Sequence, residues 1–291
     1  GSKERLSQEE LEVWNECKSM CTICKISIEV HLGLSMPEEK QMFYDLNSYA
    51  KAIETSLANK MDTSNPINTY TMEILQPKIF KSKIDVSGSN SDADWNTEAP
   101  TLTGKSLSAI HAILFLNKGN IKGATPSDIT EYKKEIANNF WNVVLEIPGF
   151  LENKPKLHTV VAQPVVLKAI AKLFFEMFFG KNKNLNNETN QNKLMEGLKS
   201  FDFSHDNEVW KYYQMLNEER TNKFPGLTEY LPIDEEDSKN RDMGGFDLAS
   251  NTFRFGAKHN DIVPLISDII KWKIQLPSRQ KKVAQMDLIL Q

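Results

Sequence analysis

The sequence predicts an α+β protein that is predominantly helical, in which a small N-terminal α/β portion packs on a larger helical portion. Most apolar residues after position 104 recur at three- and four-residue steps, the period of amphipathic helices. The clearest period-two alternation is short and lies early, in ISIEVHL at 26–32. Strand and helix patterns do not alternate along the chain, so a parallel βαβ sheet is not predicted.

Composition places the chain among ordinary globular proteins. It has 291 residues, of which 40% are hydrophobic and 25% are charged, and its formal net charge is -4. The opening residues are polar and no apolar run approaches the ~20 residues of a membrane helix, so we expect a cytoplasmic protein without a membrane segment. The three cysteines form no paired disulfide framework, which agrees with a reducing compartment. An acidic chain attracts DNA only through a local basic patch.

The N-terminal elements are predicted from periodicity and capping residues. Residues 7–24 carry apolar side chains at helical spacing, and the alternating stretch that follows them is typical of a half-buried strand. Ser35, with Pro37 and Glu38 after it, is a helix-start signature, and we expect a helix to begin there. A further helix is expected after the turn at Asn65–Pro66.

The middle of the chain changes from a polar segment to a series of helices. Residues 81–104 are rich in Ser, Asn, Asp and Thr, which predicts one short strand and a mobile surface loop within 85–103. Two of the later helices are expected to end at glycine stops, Gly119 and Gly180. The later helical segments are 105–119, 127–147, 163–180, 192–201, 207–216 and 261–274.

The three cysteines stand together in the stretch CKSMCTIC. Their C-x3-C-x2-C spacing is that of radical-SAM enzymes, in which three thiolates hold a [4Fe–4S] cluster. Such a cluster needs a β/α barrel around it, whereas Cys17, Cys21 and Cys24 precede the first strand and share one face of a predicted helix. We therefore predict three buried cysteines on a core face, with no iron–sulfur cluster and no metal site.

Other sequence signatures of catalysis are missing. The chain has no GxxxxGK[ST], GxGxxG or HExxH motif, and its five histidines are scattered. The acidic run at 234–237 is typical of a solvated loop, although several carboxylates in one loop are also able to bind a divalent ion. No catalytic residue is assigned from the sequence.

Four blocks, in order along the chain, resemble the DNA sulfur modification protein DndB and its DGQHR-domain relatives. The first is ISIEVHLGLS with the helix after it, where Asp45 and Asn47 match polar motif positions. The second is FWNVVLEIPGF, with Phe150 in place of the usual Trp. The third is FDFSHDNEVWKYYQM, with Asp202 and Asn207 at motif positions. The fourth is DLASNTFRFGAKHNDIVPLISDIIKWKIQLP.

The resemblance implies a role in bacterial DNA phosphorothioation. It divides the chain into a partial DGQHR or ParB-like portion at 1–80, a polar loop at 81–104 and a helical DndB-type portion at 105–291. The DGQHR sequence that names the family is not present, which argues against an intact enzyme. We expect a DNA-binding accessory or regulatory protein, such as a transcriptional regulator of the modification genes. Two alternatives stay open: a ParB-like nucleotide hydrolase or nuclease, and a scaffold that contacts only other modification proteins.

One motif residue allows two interpretations. Asn47 lies four residues after Phe43 and therefore shares its helix face. On that face the Asn47 amide would make either a buried structural hydrogen bond or a contact with a ligand.

Candidate DNA contacts are basic residues near one predicted helix and toward the C-terminus. Lysines act as point charges on phosphates, so we expect binding to weaken steeply with salt. Exchanging Lys168 and Lys172 for Glu is expected to weaken binding and to leave the fold intact. Trp141 and Trp210 are interpreted as core anchors and not as base-stacking platforms. The candidates are Lys154, Lys156, Lys168, Lys172, Lys181, Lys183, Arg254, Lys258, Arg279, Lys281 and Lys282.

Overall fold

Most of the residues that the structure describes are helical, and these residues also form two small sheets of two strands each. The predicted α+β, predominantly helical class is therefore confirmed. The chain divides into two compact units, Gly1–Glu39 and Lys40–Gln291. The domain boundaries predicted at residues 80 and 104 stay a prediction. The computed structural model describes residues 7–23, 33–50, 62–75, 84–87, 95, 98, 100–232 and 241–278.

Helix α1 spans Gln8–Ile23, as the apolar spacing predicts. It begins with a capping box, in which the Ser7 N–H and Oγ donate to Glu10 Oε2 at 2.8 and 2.9 Å. In return, the Glu10 N–H donates to Ser7 Oγ at 3.3 Å. The start of the helix is thus determined by residues within its own first turn.

The buried cysteine face predicted for α1 is wrong where the structure describes it. Leu11 is 48% exposed, Trp14 is 61% exposed, and Cys17 is exposed as well. A small unit offers little apolar surface against which a helix of 16 residues can pack. The spacing of apolar residues in the sequence predicts the helix but does not indicate whether another element covers its apolar face. The side chain of Cys21 and the whole of Cys24 lie outside the described residues.

Helix α2 spans Met36–Ala50 and begins where the sequence predicts. The Ser35 N–H and Oγ donate to Glu38 Oε2 at 2.8 and 2.7 Å, which fixes the first turn. Phe43 is 45% exposed, so the face that it shares with Asn47 is not a core face at that position. The Asn47 side chain and the predicted strand at 26–32 lie outside the described residues.

Helix α3 spans Pro66–Thr69 and continues as a π-helical segment over Tyr70–Leu75, in agreement with the prediction. Asn65 caps the helix, because its side-chain oxygen accepts from the Ile67 N–H at 3.0 Å. Pro66 at the first helical position has no N–H to satisfy, so proline is favourable there.

Paired strands occupy both ends of the polar segment at 85–103, where the sequence predicts one short strand and a surface loop. The loop itself falls largely outside the described residues and stays a prediction. Strand β1 (Asp85–Ser87) pairs in parallel with strand β2 (Thr101–Thr103). Leu102 is 1% exposed and Thr103 is 3% exposed. The ladder satisfies backbone groups, and the burial of Leu102 supplies apolar area that the average composition of the segment conceals.

The remaining elements belong to the larger unit. Strands β3 (Gly244–Asp247) and β4 (Thr252–Phe255) pair antiparallel. Helix α7 continues as a π-helical segment over Phe175–Phe179. No helix in the described ranges is long and apolar enough to cross a membrane. The helices are α4 (Gly104–Leu116), α5 (Glu131–Glu146), α6 (Pro155–His158), α7 (Pro164–Phe174), α8 (Glu188–Ser200), α9 (Asn217–Lys223) and α10 (His259–Lys273), with 3-10 turns at Pro126–Asp128, Val160–Ala162, Glu208–Gln214 and Leu227–Glu229.

Helix α7 is the centre of the core and packs against both α4 and α10. Its apolar residues recur at helical spacing, and Leu167, Ile170 and Phe174 are all fully buried. Trp141 and Trp210 are 0% and 1% exposed, which confirms that they are core residues. The layer of α4, α7 and α10 positions the candidate site described below.

A buried hydrogen-bonded histidine lies between three elements of this core. His111 on α4 is 0% exposed, and its Nδ1 is 2.8 Å from Thr71 Oγ1. The Trp141 Nε1–H donates to His111 Nε2 at 2.9 Å. Because the indole is only a donor, Nε2 is unprotonated and Nδ1–H donates to Thr71. Desolvation by burial lowers the pKa of His111 to about 3, so the ring is neutral at physiological pH.

Helix α4 ends at Asn117, two residues before the predicted glycine stop at Gly119. Asn117 adopts the left-handed conformation (φ 54°, ψ 36°), and its N–H donates to the carbonyls of Ala112 and Ile113. Asparagine tolerates this conformation better than most residues, so it ends the helix as a glycine would. Lys118 follows this cap and lines the pocket between α4, α7 and α10.

Candidate nucleic-acid interface

Three helices contribute side chains to one pocket, which we call the basic pocket. The end of α4, the middle of α7 and the first two turns of α10 border it, and its cavity volume is about 140 Å³. Its lining residues are Ile113, Asn117, Lys118, Gly119, Lys168, Lys172, His259, Asn260, Val263 and Pro264. No lining residue in the described part of the chain is Asp or Glu.

The two α7 lysines lie one turn apart and both reach into the pocket from the same helix face. Lys168 Nζ is 3.1 Å from His259 Nδ1. Lys172 Nζ donates to Asn117 Oδ1 at 3.3 Å and lies 3.6 Å from Glu176 Oε1. These contacts hold both ammonium groups in place, so an anion entering the pocket meets ordered donors.

A buried charge cluster lies behind Lys172. Lys271 on α10 is fully buried, and its Nζ lies 2.6 Å from Glu176 Oε2 and 3.3 Å from Asp268 Oδ1. Desolvation by burial lowers the pKa of Lys271 and raises the pKa of Asp268. Glu176 thus contacts a buried lysine on one side and the pocket lysine on the other, which fixes the position of Lys172.

The N-terminus of α10 adds to the positive potential of the pocket. Its N-cap residue, Lys258, makes no side-chain capping hydrogen bond, and the first turn contributes His259 and Asn260 to the lining. The aligned peptide dipoles carry partial positive charge at this end of a 15-residue helix. Pro264 in the second turn lacks an N–H, so the Asn260 carbonyl has no helical donor from that position.

The arrangement is suited to binding an anion. Three ammonium groups and a helix N-terminus favour negative charge, while a polar wall of amides supplies hydrogen bonds. Gly119 follows α4 and faces α10, where a Cβ in its place would make an ordinary contact of 3.7 Å with Asn260 Oδ1. A phosphate group fits this combination of charge and donors.

The other predicted DNA contacts on the larger unit lie elsewhere. Lys154 is half-buried in a left-handed conformation (φ 56°) at the start of α6. Lys156 is 1% exposed, so its ammonium is not on the surface, and it is not retained as a DNA contact. Lys181 and Lys183 are exposed in the segment between α7 and α8.

The C-terminal candidates are divided between surface positions and the undescribed tail. Arg254 on β4 lies 3.5 Å from Asp247 and stacks 4.6 Å from the Trp95 ring. Lys258 is exposed beside the basic pocket. Arg279, Lys281 and Lys282 lie outside the described residues.

The polar motif residues around position 205 stabilise their own loop. Asp202 Oδ1 accepts from the Ser204 N–H at 2.9 Å, and the Asp202 carbonyl accepts from Asn207 Nδ2 at 2.7 Å. The Asn207 side-chain oxygen also accepts from the Val209 N–H at 3.2 Å. On α2, Asp45 is exposed and accepts from Gln41 Nε2 at 3.0 Å. The contacts of Asp202 and Asn207 stabilise a turn, and the contact of Asp45 lies on the exposed face of α2.

Sequence reasoning found Lys168 and Lys172 but missed Lys118 and His259. A lysine at a helix end and an isolated histidine carry no pattern of their own, and 91 residues separate Lys168 from His259. In the described residues no group of three or more His, Cys, Asp or Glu side chains is arranged to hold a metal ion.

A family model described as DndB, DNA-sulfur modification-associated, matches residues 11–241. The matched range includes Lys118, Lys168 and Lys172 and ends before α10. No curated protein and no solved structure matches the chain.

Proposed function

Because the chain belongs to the DndB family of DNA-sulfur modification-associated proteins, we propose that it is a DNA-binding accessory or regulatory protein of a bacterial DNA phosphorothioation system. The basic pocket is the part of the molecule that contacts the DNA backbone in this proposal. One observation carries it: two lysines of α7, the lysine that follows the end of α4 and a histidine of α10 border one cavity that no described carboxylate lines.

The overall charge makes this local concentration informative. A chain with a net charge of -4 is repelled by DNA on average, so binding requires a region of opposite sign. Lys118, Lys168 and Lys172 provide that region on one side of the α4–α7–α10 layer. Ammonium groups act as point charges on phosphates, so the pocket would hold the backbone without reading the base sequence.

The direct test is a fluorescence anisotropy titration of short duplex DNA with the wild type and a charge-removal variant. The variant Lys118→Gln/Lys168→Gln keeps polar side chains only one atom shorter than lysine and removes two pocket charges. We expect it to bind at least tenfold more weakly, because a tenfold change corresponds to about 1.4 kcal/mol and each charged contact contributes about 1.5–3 kcal/mol.

A matched control removes the same charge from the opposite end of α10. Lys273 is exposed at that end, and Lys193 donates to the Gln275 carbonyl there at 2.8 Å. Lys273 lies nine residues beyond Pro264, the last pocket residue of α10, so this end is ~14 Å along the helix from the pocket. Lys193→Gln/Lys273→Gln should bind as the wild type does. If both variants bind alike, or the wild type binds no duplex, the pocket is not a DNA interface, and the scaffold alternative takes its place.

A further inference from the structure

The basic pocket has two chemically different sides. Ile113 and Val263 are buried and form an apolar side at the deeper end of the pocket, whereas the ammonium-bearing Lys118 is exposed near its opening, as are Asn117 and Asn260. Lys168 and Lys172 supply the rest of the charge. Ile113 is 8% exposed and Val263 is 7% exposed, so little of either side chain is accessible to solvent. An anion that enters this cavity would therefore meet hydrocarbon at the deeper end and ammonium groups nearer the opening.

An ordinary phosphodiester matches the charged part of the pocket but not its deeper apolar part. Its two non-bridging oxygens share the negative charge equally, and both are strong hydrogen-bond acceptors. Placing one of them against Ile113 and Val263 removes its water without a replacement donor, which costs free energy. The apolar side therefore penalises one of the two oxygens.

A phosphorothioate diester matches both parts of the pocket better. One non-bridging oxygen is replaced by sulfur, while the group keeps one negative charge. Sulfur is larger, more polarizable and a weaker hydrogen-bond acceptor than oxygen, so contact with hydrocarbon costs it less. The remaining oxygen is left for the lysines.

From this asymmetry we infer that the basic pocket binds a phosphorothioate diester of DNA in preference to a phosphodiester. The inference rests on the proposed DNA contact at the same pocket and adds the chemical class of the linkage. The non-bridging oxygen faces Lys118 and Lys168, and the sulfur lies on the side of Ile113 and Val263. Phosphorus with four different substituents is a stereocentre, so only one of the two diastereomers presents sulfur to the apolar side.

The test compares three duplexes of one sequence: an unmodified one, and two with stereochemically pure phosphorothioates of either configuration at every linkage of one strand. Wherever the protein binds along that strand, the pocket then meets a linkage of the same configuration. General adhesion of sulfur-containing DNA affects both diastereomers, so the ratio of their dissociation constants is the readout. We expect one diastereomer to bind about three- to tenfold more tightly than the other, the range for one apolar group in a fitted pocket.

A variant pair locates the sulfur. Val263→Thr keeps side-chain shape and replaces a methyl group with a hydroxyl, so the diastereomer ratio should fall to about one while unmodified DNA still binds. Val143→Thr is the matched control, because Val143 is 5% exposed on α5 and does not line the pocket. This control should retain the wild-type ratio.

The outcomes separate this inference from the proposed function. Equal binding of the two diastereomers by the wild type, a result that needs no variant, overturns the sulfur preference. If unmodified DNA then still depends on Lys118 and Lys168, the proposed DNA interface stands. If no duplex binds, or binding ignores those lysines, both proposals fail together. A diastereomer preference that Val263→Thr does not alter would place the sulfur elsewhere and overturn the inference.

Discussion

At the scale of single residues, buried polar groups determine how the protein responds to pH. His111 is the clearest example, because its ring is fully buried between Thr71 and Trp141 and both ring nitrogens are hydrogen-bonded. In the sequence, His111 is visible only as an isolated histidine within an apolar helical segment. Its neutral state follows from burial and from the indole donor, which lies 30 residues away along the chain.

Replacing His111 should weaken the dependence of stability on pH. In the native state burial lowers its pKa to about 3, whereas the unfolded residue titrates near 6.5. Below pH ~6.5 the unfolded chain takes up a proton that the native state does not, so stability falls as the pH falls. Between pH 7 and pH 5 this residue alone accounts for about 2 kcal/mol. Urea unfolding of the wild type and His111→Gln at the two pH values should show that difference, and parallel curves would contradict it.

Lys172 is the residue at which sequence reasoning about substitution fails. Its side chain is only 16% exposed and lies 3.6 Å from Glu176, so Lys172→Glu would place two carboxylates together. The expectation of an intact fold does not agree with this geometry. We expect Lys172→Glu to lower the free energy of unfolding by about 3 kcal/mol. Lys183→Glu, at an exposed position, should change it by no more than ~0.5 kcal/mol. Equal effects in denaturant titrations would show that the Glu176 contact does not matter.

At the scale of helices and strands, local signals determined where elements begin. The pairs Ser7–Glu10 and Ser35–Glu38 fix the starts of α1 and α2 through contacts within one turn, so the sequence suffices. What covers an element is not a local property. The exposed Trp14 face of α1 and the parallel pairing of β1 with β2 depend on distant surfaces, and periodicity does not predict them.

The end of α4 gives a test at this scale. Asn117 holds φ at 54°, where a residue with a Cβ is disfavoured and glycine is not. Both Asn117→Gly and Asn117→Ala lose the amide that accepts from Lys172, so comparing them isolates the backbone. The alanine variant should be about 1 kcal/mol less stable than the glycine variant. Equal midpoints in thermal unfolding would mean that the left-handed cap is not maintained in solution.

At the scale of the whole molecule, the fold class and the family could be predicted, but the site could be predicted only in part. Lys168 and Lys172 are four residues apart, and helical spacing places them on one face. Lys118 and His259 join them only because α7 packs against both α4 and α10. Those contacts connect residues 55 and 91 positions apart in the sequence, a distance over which a single chain carries no readable pattern.

The salt dependence of DNA binding tests the central claim most directly. The slope of log K against log salt concentration reports how many phosphates are neutralised, at about 0.9 per contact. If the basic pocket holds the backbone, the slope for Lys118→Gln/Lys168→Gln should be shallower than that of the wild type by about 1.8, while Lys193→Gln/Lys273→Gln should keep the wild-type slope. Equal slopes for all three proteins would contradict the assignment of the DNA contact to this pocket.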